Sequence, residues 1–246
     1  MIKKIINLIL CCFIFLSPLV AQKENKKFTN WVDVGISVGQ SQGAFSLSYN
    51  FAKRIGKKQK WEIGTGLRLS SYMGSKKDFI SAGPAKYTRS FTFPFLIVFA
   101  GQNEANFDTL TVQRPFTNSL NLQFNLGYHF SDKWYAGCNI DIIGASFGRK
   151  GSAVFTNNGQ TTTDPNVKPS SFNLLLTGDH DKGSLNSEFL LGYSLNKKIR
   201  VKAFYQFIFI EYKSQSVSQV YDDGTINNRF RNKANNLGIG VSYFIF

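Results

Sequence analysis

The side chains best suited to acid–base chemistry near neutral pH are two histidines, His129 and His180. His129 follows Asn121, Gln123, Asn125 and Gly127 at every second position. Such neighbours offer hydrogen bonds but no nucleophile–base–acid set, and no Ser–His–acid constellation can be assembled from the spacing. A structural histidine is the expectation. His180 sits in Gly178-Asp179-His180-Asp181-Lys182-Gly183. Asp179 and Asp181 have the spacing that opens a calcium loop, but the later ligands are missing, so a Gly/Asp turn is expected. No catalytic residue, metal site or cofactor site is expected from these residues. A third group consists of charges that fall on the polar phase of alternating segments: Asp33, Glu62, Asp141 and Glu188, with Arg68, Arg200 and Lys202. If these seven share one enclosed space, they must pair with each other, because an unpaired buried charge is costly.

The elements that would hold them are strands. In residues 119–130, Leu120, Leu122, Phe124, Leu126, Tyr128 and Phe130 alternate with Ser119, Asn121, Gln123, Asn125, Gly127 and His129. Successive strand side chains point to opposite faces, so one face is apolar and the other polar or small. The pattern recurs in 32–38, 45–51, 61–69, 134–142, 185–195, 199–209 and 237–245. In the 134–142 segment the apolar set is Trp134, Ala136, Cys138, Ile140 and Ile142. Eight such strands, most near the ~9–11 residues that cross a bilayer at a tilt, predict an all-β, antiparallel up-and-down transmembrane β-barrel. Short connections (54–59, 131–133, 196–198) alternate with long loops near 74–116, 149–183 and 214–232. The first hairpin, at 40–43, is the exception. Ten strands are the alternative, with 87–100 as a ninth and 107–112 as a tenth. Pro94 removes a ladder donor from the first of these, which favours an outer loop.

The N-terminus reads as a cleaved signal peptide over residues 1–21: Lys3 and Lys4, an apolar run from Ile5 to Leu16, a Ser17-Pro18 break and Ala21 before Gln22. The run is too short to span a bilayer as a helix. A periplasmic segment over 22–30 and a barrel over 31–246 follow. Cleavage removes Cys11 and Cys12 and leaves Cys138 alone, so no internal disulfide can form.

The leader, the strand array, Ser119-Leu120-Asn121-Leu122, the segment Gly183-Ser184-Leu185-Asn186-Ser187-Glu188-Phe189 and the aromatic end Tyr243-Phe244-Ile245-Phe246 together resemble the small outer-membrane β-barrel proteins of the Bacteroidetes type. The resemblance covers nearly all of the mature chain. It implies an outer-membrane location and recognition of the aromatic C-terminus by the barrel-assembly machinery. Phe246 is out of phase with Leu237, Ile239 and Val241, so either a bulge intervenes or the strand ends at Ile245.

The charge bears on partners. The chain has 29 Lys and Arg against 15 Asp and Glu, and loss of Lys3 and Lys4 lowers the formal net charge from +14 to +12. The seven lumen charges nearly balance, so the excess belongs to the turns and loops. Lys53, Arg54, Lys57, Lys58, Lys60, Lys197 and Lys198 crowd the turn side. Lys76, Lys77, Arg149, Lys150, Arg229 and Arg231 fall at the outer rim, where they are expected to meet lipid phosphates, including those of lipopolysaccharide. Nucleic acid is not an expected partner in that compartment. An eight-stranded barrel has an interior that side chains can fill. The expectation is therefore a plugged, non-enzymatic barrel with a structural or loop-mediated binding role. The alternatives are a narrow channel or transporter for a small solute and an envelope assembly factor or lipid-modifying enzyme.

Overall fold

The computed structural model describes residues 28–92, 100–176 and 181–245. The signal peptide, residues 22–27, Asp179, His180, Phe246 and part of the 87–100 segment lie outside them. Fifteen strands form: β1 (Phe28–Gly39), β2 (Gln42–Ile55), β3 (Trp61–Gly74), β4 (Lys76–Ser81), β5 (Thr109–Gln113), β6 (Phe116–His129), β7 (Trp134–Gly148), β8 (Gly151–Asn157), β9 (Gln160–Pro169), β10 (Phe172–Leu174), β11 (Leu185–Ser194), β12 (Ile199–Lys213), β13 (Gln219–Val220), β14 (Ile226–Asn227) and β15 (Arg229–Ile245). Two short helical turns, Ala85–Thr88 and the 3-10 turn Glu104–Asn106, precede β5.

The pairings close on themselves twice. One cycle runs β1-β2-β3-β6-β7-β11-β12-β15 and back to β1, antiparallel throughout. A second, smaller cycle runs β4-β5-β8-β9-β12-β15. The two rings share β12 and β15, which run on from the first into the second. The result is a main barrel with a closed cap built on one end. At the opposite end lie the short connections and both termini of the described barrel.

The expected count of eight strands is thus corrected to fifteen among the described residues, of which eight close the main ring. Three segments expected as loops carry the other seven. Their strands escape a period-two reading because they are short or polar: β9 reads Gln-Thr-Thr-Thr-Asp-Pro-Asn-Val-Lys-Pro. The strand at 109–113 belongs to the cap rather than to a ten-stranded main ring. Within the described residues β1 is already formed at Phe28, inside the segment expected to precede the barrel. A register shift between Leu122 and Gln123 makes Ile142 the extra residue of a bulge in β7. Beyond it the outward positions become Ile143, Ala145 and Phe147, so the phase expected over 134–142 does not continue. Within the described residues β15 has no bulge; Ile245 points out and Phe244 points in.

The outward face of the main ring is apolar and exposed, including Val34 and Ile36 on β1, Leu47 and Tyr49 on β2, Leu120 and Leu122 on β6, and Ile239 and Val241 on β15. Its inward face is polar and buried, which inverts the arrangement of a water-soluble protein and requires a lipid surround. On β3, Trp61 and Met73 bound this band twelve residues apart. At ~3.3 Å per residue and a tilt of ~40–45°, that is roughly 30 Å of bilayer. Paired rings ornament the turn end: Phe28 on Phe51 (5.1 Å), Trp61 on Tyr128 (4.9 Å) and Trp134 on Tyr193 (5.0 Å). Such amphipathic rings sit at headgroup level.

β12 shows how the interior changes along the axis. Its inward residues read Arg200, Lys202, Phe204, Gln206, Ile208, Ile210 and Tyr212, from the turn end to the cap. Inside the cap, Phe79, Leu110, Phe155, Val167, Tyr212 and Phe230 form a buried apolar core that continues downward through Ile210, Ile208, Ala234, Tyr72 and Ala44. Phe79 meets Tyr212 edge-on at 5.2 Å, and Phe155 meets Phe230 at 5.8 Å. Each large side chain so buried contributes roughly 1.5–3 kcal/mol. Lumen glycines leave room for bulky neighbours: a side chain on Gly127 would overlap Tyr135, and one on Gly238 would overlap the Phe204 ring.

Candidate functional site

The seven lumen charges come from five strands of the main ring, and all are at most 6% exposed. Five of them form an alternating chain across the barrel. Lys202 lies 3.4 Å from Asp33 and 3.7 Å from Glu188. Glu188 lies 3.1 Å from Arg68, and Arg68 lies 2.6 Å from Asp141. The guanidinium of Arg68 also donates to the Asn139 side chain (3.2 Å) and the Asn186 carbonyl (2.8 Å). Asp141 further accepts from the Asn121 side chain (2.7 Å) and the Asn186 backbone N–H (3.0 Å). Asp33 accepts from the Trp31 indole (3.0 Å) and the Asn50 amide (3.2 Å). Because β3 is not a ring neighbour of β7 or β11, Arg68 braces opposite walls, and no turn or loop participates.

Glu62 and Arg200 stand apart from this chain, toward the turn end. Glu62 pairs with His129 at 3.1 Å. His129 is thereby committed to a buried carboxylate and packs 4.9 Å from the Tyr135 ring. The Arg200 guanidinium lies 4.2 Å from the Tyr135 ring centroid and 4.7 Å from that of Phe244. Trp31, Ala52 and Phe244 form a small apolar cluster beside it. A void of about 10 Å³ remains near Asp33, Asn125, Arg200 and Lys202. That is about the space of one water.

The outer-rim expectations divide. Lys76, Arg149 and Lys150 are exposed. Lys77 is partly buried and donates to the Gln40 carbonyl. Arg229 and Arg231 both turn to Glu211, Arg229 through two hydrogen bonds of 3.0 and 2.7 Å and Arg231 at 3.2 Å. Both also donate to the Asp181 carbonyl. Glu211 is 1% exposed and accepts from the Ser170 hydroxyl at 2.6 Å. A carboxylate so buried requires such partners. The sequence signal was an acid, Glu211, on the apolar phase of β12. The Asp181 carboxylate accepts the Leu176 backbone N–H at 2.6 Å, while Asp179 and His180 of the same segment lie outside the described residues.

Two further polar sites in the cap lay outside sequence reasoning. Asp164 on β9 accepts from the Ser214 hydroxyl (2.5 Å) and the backbone N–H groups of Asn166, Gln215 and Ser216. Burial pushes its carboxyl up, but these donors outweigh burial and hold it below the usual carboxylate range. Tyr87 stacks on Tyr221 at 4.1 Å, and burial pushes the Tyr221 phenol up to about 12. Nearby, Lys86 and Asp223 form an exposed ion pair of 2.9 Å.

No family model and no curated protein matches the sequence. Among solved structures, the chain is similar to Neisserial surface protein A at 10% identity, covering 88% of this chain and 96% of that one, with a TM-score of 0.35. It is similar to the attachment invasion locus protein of Yersinia pestis at 9% identity, with 89% and 99% covered and a TM-score of 0.36. A major outer membrane protein of Thermus thermophilus is 10% identical, with 89% and 99% covered and a TM-score of 0.38. At these values the barrel assignment rests on the closed pairing register and not on the likenesses.

Proposed function

We propose that this chain is an integral outer-membrane β-barrel protein, exported by a cleaved signal peptide, whose interior is closed to solutes and whose cap meets partners at the cell surface. The observation that carries the reading is the double closure: an ion-paired lumen in the main ring beneath an apolar core in the second ring. A channel would need a continuous polar path, and the cap core stands across it. A rigid, sheet-built cap displays a surface at little ordering cost to binding, which suits a display role. Non-enzymatic action is part of the proposal, since His129 is held inside the barrel by Glu62. Exposed Lys76, Arg149 and Lys150 support contacts to anionic lipid, lipopolysaccharide included. The inward Phe244 and outward Tyr243 and Ile245 supply the aromatic end that the assembly machinery would read. The test is single-channel recording on the folded protein in planar bilayers. Silence at potentials up to the bilayer's limit is expected; reproducible conductance steps from folded protein would overturn the closed reading.

A further inference from the structure

The outward wall of a barrel is convex, yet this one carries a concavity of about 750 Å³ across β1, β15, β12, β11 and β7. The register explains it. Ala203 on β12 lies between Leu191 of β11 and Ile239 of β15, and Leu191 in turn pairs with Ala136 of β7. Two small side chains thus alternate with two long ones in a single row. In the next row toward the turn end, Val201 and Val241 form a low floor beside Tyr193 and Trp134. Followed around the ring, the Ala203–Ile239 row continues through Ile36 to Phe45 and Ser71, and the Val201–Val241 row through Val34 to Leu47, Leu69 and Leu120, so the second row, as far as Leu120, is large everywhere but at its two valines and Val34. The lining is almost wholly apolar, and its volume is in the range of specific ligand sites.

The groove has a polar end. Trp134 and Tyr193 close it at headgroup level, and the Lys133 ammonium stands 6.0 Å from the Tyr193 ring centroid. Lys197 and Lys198 are exposed on the turn joining β11 to β12, the two strands that carry Leu191 and Ala203. The Lys133 carbonyl accepts the Ser194 N–H and the Lys198 carbonyl accepts the Phe244 N–H, which fixes both turns against the strand ends that border the groove. An apolar trough ending in three cations matches one amphiphile: a lipid with an acyl chain and an anionic head.

We propose that the groove seats one anionic phospholipid of the leaflet at the turn end, an acyl chain lying over Ala203 and the phosphate held by Lys133, Lys197 and Lys198. This rests on the bilayer reading above, and the test separates the two. Trp61, at the turn end of β3, does not line this groove and stands near a denser cluster in the chain: Lys53, Arg54, Lys57, Lys58 and Lys60. Trp31 is buried in the lumen, shielded from lipid. Folded Trp61→Phe protein therefore reports on Trp134, and Trp134→Phe protein on Trp61.

Both are reconstituted in zwitterionic vesicles containing a small fraction of acyl-brominated anionic phospholipid, at low and high salt. Quenching of Trp134 is expected to reflect enrichment on the order of tenfold over the mole fraction at low salt, and to stay above that of Trp61 at high salt. Ala203→Phe, placed in the Trp61→Phe background, should bring Trp134 down to the Trp61 level. Lys133→Ser/Lys197→Ser/Lys198→Ser should remove the preference for the anionic over a zwitterionic brominated lipid. If rim charge alone governs lipid contact, Trp61 will be quenched as strongly as Trp134 or more so, and the site is overturned while the bilayer reading stands. Quenching of neither tryptophan by any brominated lipid would overturn the bilayer reading itself.

Discussion

Arg68→Met isolates the charge at the centre of the lumen while nearly keeping the side-chain volume. Arg68 is 2% exposed and faces two carboxylates, Asp141 at 2.6 Å and Glu188 at 3.1 Å. Removing one partner of a buried ion pair costs about 3–5 kcal/mol, because the other charge stays buried without compensation. Here the orphans keep some help: Asp141 retains Asn121 and the Asn186 N–H, and Glu188 retains Lys202 at 3.7 Å and Gln206 at 3.3 Å. The lower end, about 3 kcal/mol, is therefore expected. Asp141→Asn in the Arg68→Met background should restore part of the loss, giving a coupling of about 1–3 kcal/mol in the double-mutant cycle. Urea unfolding in vesicles, followed by tryptophan fluorescence and by the gel-mobility shift between folded and unfolded barrel, gives the free energies. Raising the salt concentration should leave the coupling nearly unchanged, since a buried pair is poorly screened. A loss under about 1 kcal/mol, or additivity of the two single changes, would mean that water screens the network. The closed lumen could not survive that result.

Phe79→Ala and Phe230→Ala remove rings from the cap core and should each cost about 3–5 kcal/mol. Hydrogen exchange should then quicken in β4, β5, β8 and β9 while the turn-end halves of β1, β2 and β3 keep their protection; equal quickening in both rings would show that the cap is not a separate unit of stability. Asp164 ties the β8–β9 hairpin to residues 214–216. Its folded pKa is depressed, so its contribution is fully present above the unfolded value near ~4 and is lost as pH falls through the folded value. Asp164→Asn should thus expose the hairpin to protease at neutral pH, and the difference from the native chain should shrink as pH drops below ~4; a difference that persists at the lowest pH would exclude the carboxylate as its source.

Alternation carried much of the main ring. A period of two is a local property, and it assigns each residue of 119–130 to lipid or lumen without knowledge of any partner strand. It therefore placed Asp33, Glu62, Arg68, Asp141, Glu188, Arg200 and Lys202 on one face, together with Asn50, Asn121 and Gln123, which were not singled out. The same rule misread β7 past Ile142, because a bulge changes the phase and leaves no mark on composition. It also passed over Phe204, Ile208 and Ile210, apolar residues on the inward phase of β12, which are there because the lumen turns apolar toward the cap.

What the sequence determined by itself was the inside–outside pattern, the basic excess and the elements able to span a bilayer, all of which depend on side chains and their immediate neighbours. Tertiary structure decided everything that needs two distant segments to meet. It chose Asp141 and Glu188 for Arg68, 73 and 120 positions away in the chain. It also set Arg229 and Arg231 against Glu211, a pairing between strands that no local pattern announces. The second ring is the largest such decision. β4, β5, β8 and β9 are short, polar or weakly alternating, and they become strands because β12 and β15 extend past the main ring and offer edges to pair with. A strand's free energy lies in its neighbours' hydrogen bonds and in the core it helps to cover, and for these four strands both are supplied by residues far off in the chain.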